Sequence, residues 1–323
     1  MATFEYRRLT EPAWDLADMT FPVYRHLMSL EALPRHPEQG DKVLVQPVAI
    51  AAMADNEPVG LALGERPADA EDGAPNERIP VMLSLFTKPD ARGRGVGTAL
   101  VEHLEQALRD DGFDGVQTVY MTGKPSIPVL ERILEKRRWS PPEPRTVTLR
   151  FTPEEALSTP WFGRLRLPSD DYEIFPWADL SEDERQELMR SQEGSGWIAK
   201  GLEPWNHDRH SFDRVSSVGL RYRGGVVGWV INHKIAPDAV RFTCSFMRKD
   251  LGRRGRILPL YTASIERLRS AGYRTCTLVT PVAYPNMVRF VERRCAPWAS
   301  FFGGTRGSIK VWERSRREVP RSG

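Results

Sequence analysis

The segment Leu83-Ser84-Leu85-Phe86-Thr87-Lys88-Pro89-Asp90-Ala91-Arg92-Gly93-Arg94-Gly95-Val96-Gly97 sets three glycines and two arginines between an apolar run and a helical one. Glycines let main-chain N–H groups converge on a ligand with no Cβ in the way. A helix that starts there adds the partial positive charge of its first turn. The spacing predicts a cradle for a pyrophosphate, with Arg92 and Arg94 supplying charge-assisted hydrogen bonds. A dinucleotide-binding turn is the main rival, but it calls for glycines nearer G-x-G-x-x-G and an acid about 20 residues on. An RNA contact through the Arg-Gly repeat is a weaker rival. The repeat lies between a buried strand and a helix and has no interleaved aromatic residues.

The elements that must position this turn are legible on both sides. Ile79 to Phe86 is a continuous apolar run, as in a strand buried on both faces. Val96, Leu100, Leu104, Ala107 and Leu108 recur at helical spacing, which predicts a helix from Val96 to Asp110 ended at Gly112. Upstream, Phe4 to Leu9 alternates as a strand, and Glu11 to Leu33 reads as a helix broken at Pro22. Val43–Met53 and Val59–Leu63 are strands about a turn at Asp55–Pro58. Pro67 to Asn76 reads as an exposed loop. Downstream, Val116–Met121 is a strand, Pro128–Arg138 a helix and Thr146–Phe151 a closing strand.

The same order begins again after Pro160. Tyr172–Trp177 reads as a strand, and Ser181–Gln192 as a helix opened by a Ser181/Glu184 capping box. A hairpin follows about Gly224-Gly225, then a strand at Val240–Phe246 and a helix at Arg253–Ser270. Thr275–Val279 is a strand, Asn286–Arg294 a helix and Ser308–Trp312 a final strand. Asp90, Arg94, Gly95, Leu100, Leu108, Arg109 and Gly112 recur 160 positions later as Asp250, Arg254, Gly255, Leu260, Leu268, Arg269 and Gly272. Such a register points to an internal duplication, not a short solenoid period.

Composition narrows the function classes. The chain has 323 residues, 40% hydrophobic and 28% charged, which suits two domains with real cores. No apolar run approaches the roughly 20 residues of a membrane helix, and Met1–Thr10 has no signal core, so a cytoplasmic protein without membrane contact is expected. The net charge of +3 is no nucleic-acid patch, and the basic tail after Arg314 reads as solvated. Cys244, Cys276 and Cys295 fit neither a disulfide framework nor a zinc site and read as idle buried thiols. His103 reads as a surface residue. His207 and His210 lack a third ligand, so no metal is expected. Trp197, Trp205 and Trp229 suit either core packing or an amine pocket.

On these residues the chain resembles the GNAT acyltransferase superfamily. Arg92, Gly95 and Gly97 fill that family's signature of Gln or Arg, two residues, Gly, one residue, then Gly or Ala. The resemblance implies a mixed α/β fold and, with the repeat, two tandem GNAT folds of the mycothiol synthase-like type, arranged as a pseudo-dimer with divisions at 1–155 and 156–323. It also implies that the backbone of Arg92, Gly93, Arg94, Gly95, Val96, Gly97 and Thr98 holds the pyrophosphate of coenzyme A. The strand end at Leu85, Phe86 and Thr87 would hold the acyl carbonyl and pantetheine arm, with a bulge splaying that strand from Val116–Met121. In the second copy Gly252 replaces the Arg or Gln, and Ile257 the last glycine. That half is therefore expected to bind the coenzyme poorly or not at all.

The resemblance further implies acyl transfer from acetyl-CoA, or another acyl-CoA, to a primary amine of a small molecule or peptide, with no nucleic acid and a monomeric or homodimeric protein. A carrier protein as donor stays open. The tyrosine that GNAT enzymes often use as the acid is absent: Leu134 stands in its place. Tyr120 is the substitute candidate, Ser126 an auxiliary hydroxyl, and Glu77 and Ser84 are candidates for the base, acting through water. A degenerate GNAT that senses acyl-CoA or binds a partner is the non-enzyme alternative.

Overall fold

The computed structural model describes residues 3–34, 44–68, 79–162, 166–208, 212–251 and 255–312. The chain divides into two compact units, Met1–Pro144 with Thr305–Gly323, and Arg145–Gly304. The threading therefore differs from a single division after residue 155. The last strand of the chain belongs with the first unit, and the strand expected to close the first half belongs with the second.

In the first unit the strands are β1 (Glu5–Arg8), β2 (Leu33–Pro34), β3 (Leu44–Ala54), β4 (Glu57–Pro67), β5 (Val81–Thr87) and β6 (Gly115–Met121). They form a sheet in the order β1-β3-β4-β5-β6, with β2 on β3. The sheet is completed by Thr305–Val311, which pair antiparallel with β6. Helices α1 (Val96–Asp110) and α2 (Ile127–Lys136) cover one face. The other face is covered by two 3₁₀ segments, Trp14–Met19 and Pro22–Ser29. The helix expected across Glu11–Leu33 thus takes a tighter form on both sides of the break at Pro22. The β3–β4 hairpin turns on Asp55 and Asn56, at φ +50° and +63°, the left-handed pair that a two-residue turn of this twist requires.

The second unit contains β7 (Glu143–Phe151), α3 (Pro153–Leu157), β8 (Tyr172–Pro176), α4 (Glu182–Ser195), β9 (Val218–Tyr222) and β10 (Gly225–Ala236). It continues with β11 (Ala239–Met247), α5 (Leu258–Ser270), β12 (Thr275–Pro281) and α6 (Pro285–Phe290). A π-helical turn at Val291–Cys295 prolongs α6. The sheet order is β7-β12-β11-β10-β9-β8. The last strand of the chain, β13, spans Phe301–Val311. The β9–β10 hairpin turns on Arg223 and Gly224, one residue earlier than expected. The Ser181/Glu184 capping box forms as the spacing predicts.

Trp177, Trp197, Trp205 and Trp229 pack with Phe175 and Phe246 in a core of the second unit, so the bland reading of these aromatics holds. All three cysteines are buried and free, and burial pushes each thiol up to about 12. His103 is exposed and stacks on Tyr6, with ring centroids 4.8 Å apart. Among the described residues there is no cluster able to hold a metal ion, and no helix is long and apolar enough to cross a membrane.

A buried ionic knot fixes β13 in the first unit. The Glu105 carboxylate on α1 is 1% exposed. It accepts from Trp139 Nε1 at 2.8 Å, Arg137 Nη2 at 2.8 Å and Lys310 Nζ at 2.7 Å. Trp312 Nε1 donates to the Phe113 carbonyl at 2.6 Å, and Arg109 lies over the Trp312 ring. Removing one member of such a cluster leaves the others buried and unpaired, so Glu105→Ala is expected to cost about 3–5 kcal/mol in urea unfolding. Truncation after residue 300 is expected to abolish slow hydrogen exchange of the β6 amides. Retained protection there would show that the unit folds without its last strand.

A second ionic pair gives a pH dependence. Glu184 receives Arg221 Nε at 2.6 Å, and with the Ser181 bonds this pairing lowers its carboxyl from 4.5 to about 2. The stabilisation is full above pH 4.5 and is lost as pH falls towards 2. Glu184→Gln is expected to flatten the fall in urea midpoint across that window.

Candidate functional site

The site begins with a register slip. Leu63 pairs with Ser84, but Gly64 pairs with Met82, so Leu83 is an extra residue on β5. Bulges bend the strand that carries them. The parallel pairing of β5 with β6 covers Val81–Gln117 and Met82–Thr118 and goes no further. Thr118 Oγ1 donates to the Met82 carbonyl at 3.0 Å, at the point where the strands fork. Beyond it the main chain of Ser84, Leu85, Phe86 and Thr87 borders an opening between β5 and β6. Leu85 packs towards α1 and α2, and Phe86 towards the 3₁₀ segments. The predicted splay is present.

The turn after β5 delivers α1 to the mouth of the fork. Gly93 and Gly95 have φ of +74° and +87°, and a Cβ on either would meet nothing within 4 Å. Conformation, not space, selects glycine at these two positions. Gly95 begins α1 without a side-chain cap, and the first helical turn has no acid. Ala99 N–H bonds back to Gly95. The preceding N–H groups of Val96, Gly97 and Thr98 are those a helix leaves over at its start. Gly97 differs from the other two: a Cβ there would lie 3.2 Å from Ile133 Cδ1, 3.7 Å from Thr87 Oγ1 and 3.8 Å from Leu85 Cδ2. It keeps the convergence of β5, α1 and α2 open.

The arginines behave differently from each other. Arg92 is exposed, and its Nε donates to the Thr87 carbonyl at 3.0 Å, folding the turn onto the end of β5. Arg94 lies over the Phe4 ring at 4.6 Å.

Of the expected catalytic residues, Ser84 is buried, and its Oγ lies 2.6 Å from Thr20 Oγ1 at the corner between the two 3₁₀ segments. Ser126 is exposed at the start of α2, where its carbonyl accepts from Leu130. Glu77 lies outside the described residues. Leu134 is buried in the α1–α2 core. Tyr120 is on the α1–α2 side of β6, and its hydroxyl donates to Glu131 Oε1 at 2.9 Å. Arg306 Nη1 binds the same carboxylate oxygen at 2.7 Å. Burial, then the Glu131 bond, raises the phenol well above its ordinary 10. A phenol so shifted, with its proton engaged by a carboxylate, is a poor acid for a thiolate.

Thr20, Glu131 and Arg306 were not found by reading the sequence. Thr20 reaches Ser84 across 64 positions, and Arg306 reaches Glu131 across 175. No local pattern signals either pair. Near Thr20, Tyr24 is also raised, by burial and by Glu65.

The second unit repeats the geometry. Ile231 pairs with Cys244 but Asn232 with Phe242, so Thr243 is the extra residue, 160 positions after Leu83. Pairing of β11 with β12 stops at Phe242–Leu278. Here Ile257 precedes α5 in place of the third glycine. Tyr261 on α5 is buried in the core of this unit. Its ring centroid is 5.7 Å from that of Phe242. Both rings belong to the core of this unit.

The fold has known counterparts. Residues 11–135 match the Acetyltransferase (GNAT) family. The chain is similar to a tandem GNAT protein from the clavulanic acid biosynthesis pathway, at 13% identity and TM-score 0.57 over 96% of this chain and 98% of that one. It is similar to a GCN5-related N-acetyltransferase from Sphaerobacter thermophilus, at 16% identity and TM-score 0.53 over 95% of each chain. A glucosamine N-acetyltransferase region of a fungal multi-domain GH3 β-N-acetylglucosaminidase gives 14% identity and TM-score 0.60 over 95% of this chain and 38% of that one. No curated protein matches in sequence. Residues 11–135 are thus similar to the GNAT family, and the chain as a whole has a GNAT-like fold. More particularly, the fold is like that of a tandem GNAT protein over nearly the whole chain.

Gly95→Ala is expected to cost about 1–2 kcal/mol through its left-handed φ alone. Urea unfolding measures it, and an unchanged midpoint would mean that the turn relaxes.

Proposed function

We propose that the protein is an acyl-CoA-dependent N-acyltransferase whose coenzyme site is the first unit's fork and turn. The observation that carries this reading is the contrast between the two forks. One has glycines and an uncapped helix start at its mouth. The other has Ile257 in place of the third glycine, and Tyr261 buried one turn further along its helix. Convergent N–H groups with no Cβ among them suit a pyrophosphate. The unpaired edge of β5 beyond Met82 suits an amide-bearing pantetheine arm laid alongside it as an added strand.

A bound acyl-CoA supplies a thioester whose carbonyl an amine can attack. In that reading the amine nitrogen forms the C–N bond, and the C–S bond breaks. Water takes the proton that the amine nitrogen loses and returns one to the departing thiolate, so the coenzyme leaves as its thiol. An N–H of β5 near Phe86 or Thr87 polarises the carbonyl. Ser84 and Thr20, bonded to each other, orient the entering amine or a water beside it. Acetyl-CoA is the simplest donor, and the acceptor is a primary amine of a small molecule or peptide. Tyr120 serves here to hold α2 through Glu131.

A non-catalytic, coenzyme-sensing role is the second reading. It is favoured by Leu134 in the place of the usual tyrosine and by the engaged proton of Tyr120.

Calorimetric titration of the full chain with acetyl-CoA is expected to saturate at one site. Gly97→Leu is expected to weaken binding about tenfold or more, with Ile257→Ala leaving it unchanged. Loss of binding in the Ile257 variant and not the Gly97 variant would reverse the assignment. Tyr120→Phe is expected to keep thiol release over an amine panel within about threefold of the parent. A loss of a hundredfold or more would restore the phenol as the acid.

A further inference from the structure

We infer that the acyl acceptor is an amine with an apolar or aromatic body and a carboxylate, read by Phe21 and Lys124. This inference rests on the proposed coenzyme site and names what lies beside it.

Side chains alternate across a strand. Val116 and Tyr120 of β6 pack towards α1 and α2, so Val119 and Met121 point to the opposite face, the one the 3₁₀ segments cover on the neighbouring strands. That cover ends before β6: Val119 is 41% and Met121 37% exposed. Opposite them on β13 stand Gly307 and Thr305, both small, so the shelf stays shallow and open. Phe21, 48% exposed, overhangs from the corner whose Thr20 touches Ser84 beside the fork. The three apolar groups therefore line the approach to the place where the thioester is proposed to lie.

The charge at this approach is positive. Lys124, in the turn between β6 and α2, holds Nζ 4.9 Å from the Phe21 ring centroid. That contact links the 3₁₀ corner to the end of β6, across the open side of the fork. Among the described residues no carboxylate pairs with Lys124. Asp18 on the first 3₁₀ segment is taken by Arg25 at 2.7 Å. Glu131 lies on the other face of the sheet, with Tyr120 and Arg306. An ammonium held only by an aromatic ring keeps its capacity for an anion, and a ring beneath it offers a flat apolar surface to the rest of the ligand. A cationic group on the acceptor would meet the exposed Lys124 ammonium with like charge, and an uncharged one would gain nothing from it.

The test uses two probe pairs with the full-length protein: L-phenylalanine and 4-(aminomethyl)benzoate, each against its own primary carboxamide. Binding is measured by ligand-observed NMR titration with acetyl-CoA absent, so the readout does not depend on turnover. The carboxylate member of at least one pair is expected to bind about threefold to tenfold more tightly. Lys124→Gln is expected to erase that preference, and Lys124→Glu to invert it. Phe21→Ala is expected to weaken both members of a pair alike. Equal binding within both pairs, or a preference that survives Lys124→Gln, overturns the inference. The acetyl-CoA titration reports separately on the coenzyme site. A coenzyme bound without carboxylate preference rejects only the acceptor class, and a carboxylate preference without coenzyme binding rejects only the donor assignment. All three substitutions are at exposed side chains, so an unchanged melting temperature certifies the fold.

Discussion

One extra residue on a strand governs the first unit. Leu83 breaks the β4–β5 register, and the β5–β6 ladder stops at Met82. A parallel ladder that ran on would satisfy the main-chain groups of Leu85 to Thr87 within the sheet and leave nothing for a ligand to pair with. The fork also decides where α1 begins. The chain leaves β5 at an angle, turns through two left-handed glycines, and points the free end of the helix at the gap. Ser84, Thr20 and the exposed residues of β6 take their places around that gap.

The two units differ little at their forks. Both have the bulge at the same place in the repeat, and both lose strand pairing at the same step. Where the first unit has Gly97 and, four residues on, Val101, the second has Ile257 and Tyr261. The tyrosine is buried beside Phe242, with ring centroids 5.7 Å apart.

The parts of this arrangement that depend on neighbours in sequence were legible from the start. The strand before the turn, the limits of α1 at Val96 and Asp110, the Ser181/Glu184 cap and the 160-residue repeat all follow from short-range spacing. The parts that depend on tertiary contact were not. Glu105 looks like any charged helix residue until Arg137, Trp139 and Lys310 close on it. Tyr120 reads as an acid because its strand ends near the site, and only the fold shows that burial and the Glu131 bond raise its phenol. The 3₁₀ form of the segments around Pro22 is likewise set by packing over β3 and β4, against a pattern that reads as helix.

The threading of β13 carries a consequence for how the protein is made. The first unit is translated first, yet the partner of β6 is not synthesised until residue 311 has been added. For most of translation β6 presents a bare edge, with Val119 and Met121 beside it and Glu105 lacking its lysine. Such an edge is an adhesive surface in a crowded cell. Vectorial, unit-by-unit folding is therefore denied to this protein: the half that emerges early must wait, unfinished, until residues 305–311 have followed the whole second unit off the ribosome.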